Sequence, residues 1–538
     1  MTATLVFTNG HIYTQEPSRP GATALAIRDN KILALGTNDQ MKALLGPGGE
    51  WIDLAGRAVT PGLVDAHVHF QWYAINLTRV DLFEVPTLAE ALRRVAAEAA
   101  RLAASARPEH WLQGRGWSQD LWPGRGFPTA ADLDQVAGHL PVYLSHKSGH
   151  AAWVNSRALR LAGVDAHTPD PAGGQIQRDA SGQPTGILFE TAMNLVADHI
   201  PPPSQAQIVA AMRQAQAQCW QAGLTGLHDF DGRESFLALQ TLHQNGELGL
   251  RIVKNIPAYR VEHAVGVGLR SGFGDDWLRI GGVKIFADGA LGPRTALMIA
   301  PYEGEPHNRG LAVTDKEEMM SIASQASAAG LSVTIHAIGD RANHDVLDVY
   351  EAVRHEEATQ RPQAAPLRHR IEHVQVMHPD DFARLAQLNV IASMQPTHAT
   401  SDREMADRYW GARAQYSYAW RTVQQTGATL VFGSDCPIEA IAPLPGIYAA
   451  VTRTRPGQDL AQSWYPAQCL TLDEAIHAFT RAAAITSGQE ARQGSIAPGK
   501  LADLTIYDRD IYQVAPAGLA ETQIAATVVG GQFKYRTW

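Results

Sequence analysis

The stretch Thr60-Pro61-Gly62-Leu63-Val64-Asp65-Ala66-His67-Val68-His69-Phe70 sets the frame for the whole chain. Thr60 to Gly62 reads as a turn that feeds a short apolar strand. Side chains alternate faces along a strand, so His67 and His69 point the same way. Two imidazoles side by side on a buried face are either a hydrogen-bonded core pair or a seat for a divalent cation. The His-x-His spacing alone does not separate the two; the rest of the chain does.

Seven more apolar runs follow the first, so that the set covers 63–69, 224–230, 251–259, 282–287, 331–337, 370–376, 390–395 and 429–434. Helical patterns stand between them, among them 204–222, 315–329, 340–358, 379–388 and 471–487. Strand and helix alternating eight times predicts an α/β protein built on a (β/α)8 TIM barrel. The two ends of the chain have a different texture. Residues 1–60 carry short strands with an Asn9-Gly10 hairpin signal, and Leu504–Tyr507 and Ala526–Val529 look alike. We expect 1–60 and 490–538 to pair into a small β-sandwich domain, with the barrel at 61–489.

One interval breaks the rhythm. Residues 80–203 separate the first barrel strand from the second and are rich in Gly, Pro and Trp. Thr87 with Glu90 marks a helix start there. The interval reads as a subdomain inserted after strand 1, at the barrel end where insertions shape substrate pockets. Trp117, Trp122 and Trp153 within it wall an aromatic pocket or, by the safer reading, fill a core.

Composition narrows the function classes. A chain of 538 residues with 45% hydrophobic and 18% charged residues is an ordinary globular protein. A net charge of −9 without a basic run argues against nucleic acid or an anionic membrane as partner. No Gly-rich loop ends in Lys-Ser/Thr, so phosphate-rich ligands are not favoured. Cys219, Cys436 and Cys469 are too scattered for a disulfide framework and fit a reducing cytoplasm. Met1 to Gly10 has no basic n-region, so no secretion signal is expected, and the absence of an apolar run of ~18 residues makes a transmembrane helix unexpected.

Polar residues that resist burial sit at or near the ends of the apolar runs. They are His67 and His69 on strand 1, Lys284 on strand 4, His336 on strand 5, His373 on strand 6 and Asp435 after strand 8. In a (β/α)8 enzyme the C-terminal strand ends meet at the active site. Four histidines, a lysine and an aspartate in one pocket call for positive charge, which two divalent cations supply.

The ordered motifs Pro61–His69, Lys284–Gly292, His336–Asp340, Arg370–His373, Gly433–Asp435 and Ile496–Leu504 span nearly the whole chain. In them the sequence resembles the metal-dependent amidohydrolase superfamily, and within it the YtcJ-like group that includes N-substituted formamide deformylases. The resemblance implies roles. His67 and His69 hold a first metal, His336 and His373 a second, and Lys284 bridges both as N6-carboxylysine. Asp435 ligates the first metal and shuttles protons. The metals are expected to be zinc; histidine and carboxylate ligands also suit manganese, iron or cobalt. A burial-depressed lysine can react with carbon dioxide, which turns a repelled ammonium into a bridging anion. An unmodified Lys284 paired with Asp288 is the alternative.

The implied reaction is hydrolysis of a carbon–nitrogen bond other than a peptide bond by metal-bound hydroxide, on an N-substituted formamide or similar small amide. Hydrolysis of a cyclic amide, carbamate or lactone is the first alternative, and a non-catalytic regulatory barrel the second. His150, Asp288, Arg294 and His398 are the candidate substrate contacts. Ser118 and Ser148 stand where related chains often carry aspartate. The sequence leaves the oligomeric state open, a homodimer included.

Overall fold

The computed structural model of the chain describes residues 2–18, 21–103, 111–124, 126–148 and 150–538. Gly149, within the Ser148–His150 segment, lies outside them. The chain divides into two units, Met1–Tyr73 with Met212–Trp538, and Ala74–Ala211.

In the first unit, eight strands pair in chain order into one parallel sheet. They are β1 (Leu63–Val68), β2 (Leu224–Asp229), β3 (Arg251–Pro257), β4 (Leu278–Phe286), β5 (Ser332–Ala337), β6 (Arg370–His373), β7 (Ile391–Met394) and β8 (Leu430–Phe432). Several, such as Ile391–Met394, are buried at every position, as parallel strands under helices must be. All eight runs expected from the sequence are strands, and the TIM-barrel class holds.

Closure is made just past the last strand. Asp435 N–H donates to the His67 carbonyl at 2.8 Å, and His69 N–H to the Cys436 carbonyl at 2.8 Å. The Asp65 carboxylate clasps both sides of this seam. Its Oδ1 accepts from the N–H of His67 at 3.0 Å and of Ser434 at 3.0 Å, and its Oδ2 takes the Ser434 hydroxyl. Gly433 allows the approach: a Cβ there would stand 2.5 Å from His67 N and 2.6 Å from Asp65 Oδ1.

Three local readings differ from expectation. β4 begins at Leu278 rather than 282, because Leu278 to Ile280 pair with Ile252 to Lys254 of β3. β6 stops at His373, since His373 and Val374 turn to φ +77° and +45°, outside the strand region. The helix expected over 471–487 is two helices, Leu472–Phe479 and Arg481–Thr486, separated at Thr480.

The chain ends add two further sheets to this unit. Four strands pair in the order Lys31–Gly36, Ala24–Arg28, Ala3–Thr8, Leu45–Asp53. Six pair in the order Gln532–Arg536, Ile524–Val529, Leu504–Tyr507, Ala58–Pro61, His11–Tyr13, Gly21–Ala22. Phe7, Leu25 and Ile27 of the first share one apolar core with Ile12, Val59 and Ile506 of the second.

The Ala74–Ala211 unit has its own six-stranded sheet and its own core. Trp117, Trp122 and Trp153 are buried in that core, with ring centroids 6.0 to 6.1 Å apart. Each indole N–H reaches a backbone carbonyl, of Leu144, Val85 and Thr129 respectively. The core-packing reading of these tryptophans is the one the structure bears out.

The seam predicts where stability resides. Asp65→Ala orphans several buried donors, at a cost on the order of 3 kcal/mol, and Gly433→Ala forces the strands apart at a cost of about 2 kcal/mol. Both variants are expected to melt several degrees below the parent by circular dichroism. Unchanged melting curves would show that closure does not depend on the clasp.

Candidate metal centre

A cavity of about 390 Å³ opens where the barrel strands end, and His67, His69, Lys284, His336, His373 and Asp435 all line it. β1 delivers His67 on its last turn of pleat and His69 just past its end. Their ring centroids are 5.7 Å apart, and their Nε2 atoms lie 3.4 and 3.6 Å from Asp435 Oδ1. His373 completes the inner cluster: one ligand atom each from His67, His373 and Asp435 lie within 4.8 Å of one another. The His336 ring stands 4.5 Å from that of His373.

Each histidine has one ring nitrogen engaged by a neighbour. His67 Nδ1 meets Glu372 Oε2 at 2.6 Å, and His69 Nδ1 meets Asp231 Oδ1 at 3.2 Å. His373 Nδ1 meets Gln395 Oε1 at 2.9 Å, and His336 Nε2 meets the Gly289 carbonyl at 2.9 Å. Such contacts fix the ring orientation and tautomer and leave the opposite nitrogen as the electron-pair donor. Those opposite nitrogens are Nε2 in His67, His69 and His373, and Nδ1 in His336.

Burial reinforces the neutral form. It holds His67 and His373 well below the ordinary imidazole value and His336 at about 3, with the Lys284 charge acting in the same direction. His69 differs. Burial opposes its charge, but the Asp231 contact and the nearby carboxylates outweigh it and raise the ring. Burial also lifts Asp435 to about 7, against the pull of His69 and Lys284. Asp435 sits at φ +59°, a strained region for a side chain that the closing seam holds in place.

Lys284 is the anomaly of the cavity. It is 4% exposed, and its Nζ has no hydrogen-bond partner. The amine faces the rings of Phe230 and Phe286 at 5.1 and 4.6 Å. Burial lowers it to about 8. An amine left orphaned in a cavity lined by histidines and a carboxylate fits a site completed by another group. The neutral imidazoles of His67, His336 and His373, with His69, the Asp435 carboxylate and the orphaned lysine, fit divalent metal.

Beneath the histidines lies a buried network that the sequence reading did not assign. Glu372 is fully buried and joins His67, the Thr334 hydroxyl and the Arg370 guanidinium. Arg370 also reaches His228 Nδ1 at 3.0 Å and the Ala66 carbonyl at 2.6 Å. Asp231 caps the helix Phe70–Leu77 through the N–H groups of Gln71 and Trp72, at 2.6 and 3.1 Å. A signal for these residues existed. Glu372 directly precedes His373, Asp65 precedes His67 by two, and Asp229-Phe230-Asp231 ends the second run.

The secondary candidates separate. His398 lines the cavity, with Nε2 3.8 Å from Asp435 Oδ2. Asp288 corrects the expectation of a substrate contact. It is 1% exposed, and its carboxylate accepts backbone N–H groups of Leu297, Ile338 and Gly339 at 2.8 to 3.0 Å. It braces the strand 4 loop, and it lies 3.4 Å from His336 Nε2 rather than paired with Lys284. Arg294 likewise turns to Glu305 at 2.9 Å and to the Tyr409 ring. His150 belongs to the Ala74–Ala211 unit, where it is exposed and meets Glu190 at 3.0 Å.

Residues 50–535 match the model of the amidohydrolase family. The putative amidohydrolase YtcJ of Bacillus subtilis is 33% identical over 98% of this chain and 99% of its own length. The N-substituted formamide deformylase of Arthrobacter pascens is 29% identical over 99% of this chain and 98% of its own. A crystal structure of an uncharacterized metal-dependent hydrolase from Pyrococcus furiosus superposes with a TM-score of 0.77 at 28% identity, over 95% of this chain and 99% of that one. The chain belongs to the amidohydrolase family and is a metal-dependent hydrolase of carbon–nitrogen bonds.

The buried contact to His67 predicts a measurable effect on metal. Glu372→Gln keeps the shape but removes the charge, and is expected to weaken metal binding by about 10–100-fold, read by chelator competition. Retained affinity would show that Glu372 supports only the fold.

Proposed function

We propose that the chain hydrolyses an N-substituted formamide or a similar small amide to an acid and an amine, using two zinc ions. The reading rests on one observation above all: four imidazoles, each with one nitrogen engaged, line one cavity together with the orphaned Lys284 amine and Asp435. The name of the Arthrobacter relative supports the formamide. His67, His69 and Asp435 would hold the first ion, and His336 and His373 the second. Lys284, carboxylated by carbon dioxide, would add an anionic ligand to the site. The ions, when bound, supply the Lewis acidity that activates water and polarises a carbonyl.

The chain's own groups do the rest. Asp435 Oδ1 faces the two Nε2 atoms, so Oδ2 is the oxygen left to carry a proton. It takes the proton that the attacking water loses and returns it to the departing nitrogen. Phe230 stacks on His67 at 4.0 Å and keeps that flank of the ring dry. In this reading the enzyme works in the cytoplasm, where Cys219, Cys436 and Cys469 stay as thiols. Among the described residues no helix is long and apolar enough to cross a membrane.

A panel of N-formyl and N-acyl amines, assayed with the zinc-loaded protein, tests the substrate. Turnover of formamides is expected to exceed that of bulkier acyl amides; no turnover of any amide would end the reading. Asp435→Asn is expected to lower kcat by about 10²–10⁴-fold, and equal activity would remove the proton-carrying role. Lys284→Ala is expected to bind about half the zinc of the parent by elemental analysis, and full stoichiometry would exclude the bridge.

A further inference from the structure

Apart from the histidine floor, the cavity has a wall of a different kind. His398, Asp402 and Met405 lie on the helix Pro396–Trp410 at a spacing that puts all three on one face, and all three line the cavity. Glu439, from the loop after β8, lines it too. Asp402 accepts the Tyr418 hydroxyl at 2.5 Å, and Glu439 the Ser401 hydroxyl at 2.5 Å. Neither carboxylate is ion-paired with a lysine or arginine among the described residues. Arg455 acts on Asp402 only through space, because its Nε donates to the Thr400 carbonyl at 3.2 Å. Asp402 and Glu439 thus bring two carboxylates to a cavity that Lys284 also lines. Burial lifts Asp402 to about 6 and Glu439 pushes it in the same direction, while the Tyr418 hydroxyl pulls it down.

A second observation points to a ligand. Gln375 lines the same cavity, is 4% exposed, and has no partner for Oε1. Its Nε2 is turned to His398 Nδ1 at 3.4 Å, which leaves the carbonyl oxygen as an acceptor in search of a donor. A buried acceptor without a partner costs free energy until something donates to it. Trp72, Phe286, Leu291 and Ile438 add apolar lining to the same cavity.

Taking the reacting amide to sit at the histidine floor, as in the reading above, we propose that Gln375, Asp402 and Glu439 recognise a positively charged N–H-bearing group on the substrate. The substrate class is then small amides that carry an ammonium or guanidinium group away from the scissile bond.

Binding and turnover test this separately. Benzylammonium and benzyl alcohol are similar in size, and neither can be cleaved. By calorimetry the zinc-loaded protein is expected to bind the cation at least tenfold more tightly. The preference is expected to shrink as salt is raised and to fall near parity in Asp402→Asn/Glu439→Gln. Glu439→Gln alone, at a partly exposed position, is expected to lose part of it with an unchanged melting curve. An absent preference, or one that survives the double change, overturns the proposal. In turnover, N-(4-aminobutyl)formamide is expected to exceed N-pentylformamide in kcat/KM. A cation preference in binding without hydrolysis of either formamide would overturn the amide reading and leave the cation-binding wall standing.

Discussion

A parallel barrel is held together only if its last strand finds its first, and here that meeting is fixed by one buried carboxylate. Asp65 accepts from backbone and side chain on both sides of the seam. Burial lifts its carboxyl to about 6, while the Ser434 and His67 donors pull it down again. The donors that hold it belong to His67 and to Ser434, the neighbour of Asp435. Closure of the fold and placement of the inner cluster are therefore the same event. The positive φ of Asp435 follows, because the seam and not the residue dictates that backbone.

A second buried system keeps the floor rigid. Glu372 and Arg370 lie side by side on β6, both nearly or fully buried, and their charges are met from above by His67 and from the sides by Thr334, His228 and the Ala66 carbonyl. An ion pair in such a place offers little net stability, yet losing one partner leaves a bare charge, at a cost of about 3–5 kcal/mol. The return is orientation: the ring of His67 is held between Glu372 and the stacked Phe230. Asp231 does the same for His69 while it caps the helix that follows.

Most of the barrel was legible because its strands are short, apolar and punctuated, and because the polar residues that interrupt them sit at the ends. What was not legible came from tertiary geometry. The end of β6 depends on the dihedral angles of His373 and Val374, which no hydrophobic pattern encodes. Asp288 looked available in sequence because acidic residues in a Gly-rich loop usually face water; the three N–H groups that consume it come from segments 9 to 51 residues away. Glu372 was visible but mute, since an acid beside a histidine signals an orienting contact only after both strands have been placed.

The helix Pro396–Trp410 carries a consequence for how such a protein can change. Its cavity face contributes His398, Asp402 and Met405, while the residues that close the barrel lie on β1 and on the segment after β8. Variation on that face leaves the seam and the buried Arg370–Glu372 pair untouched. Substitution at these positions therefore alters the cavity lining while the residues that close the barrel stay in place. The same separation means that whole-chain identity follows the shared barrel more than the lining of its cavity.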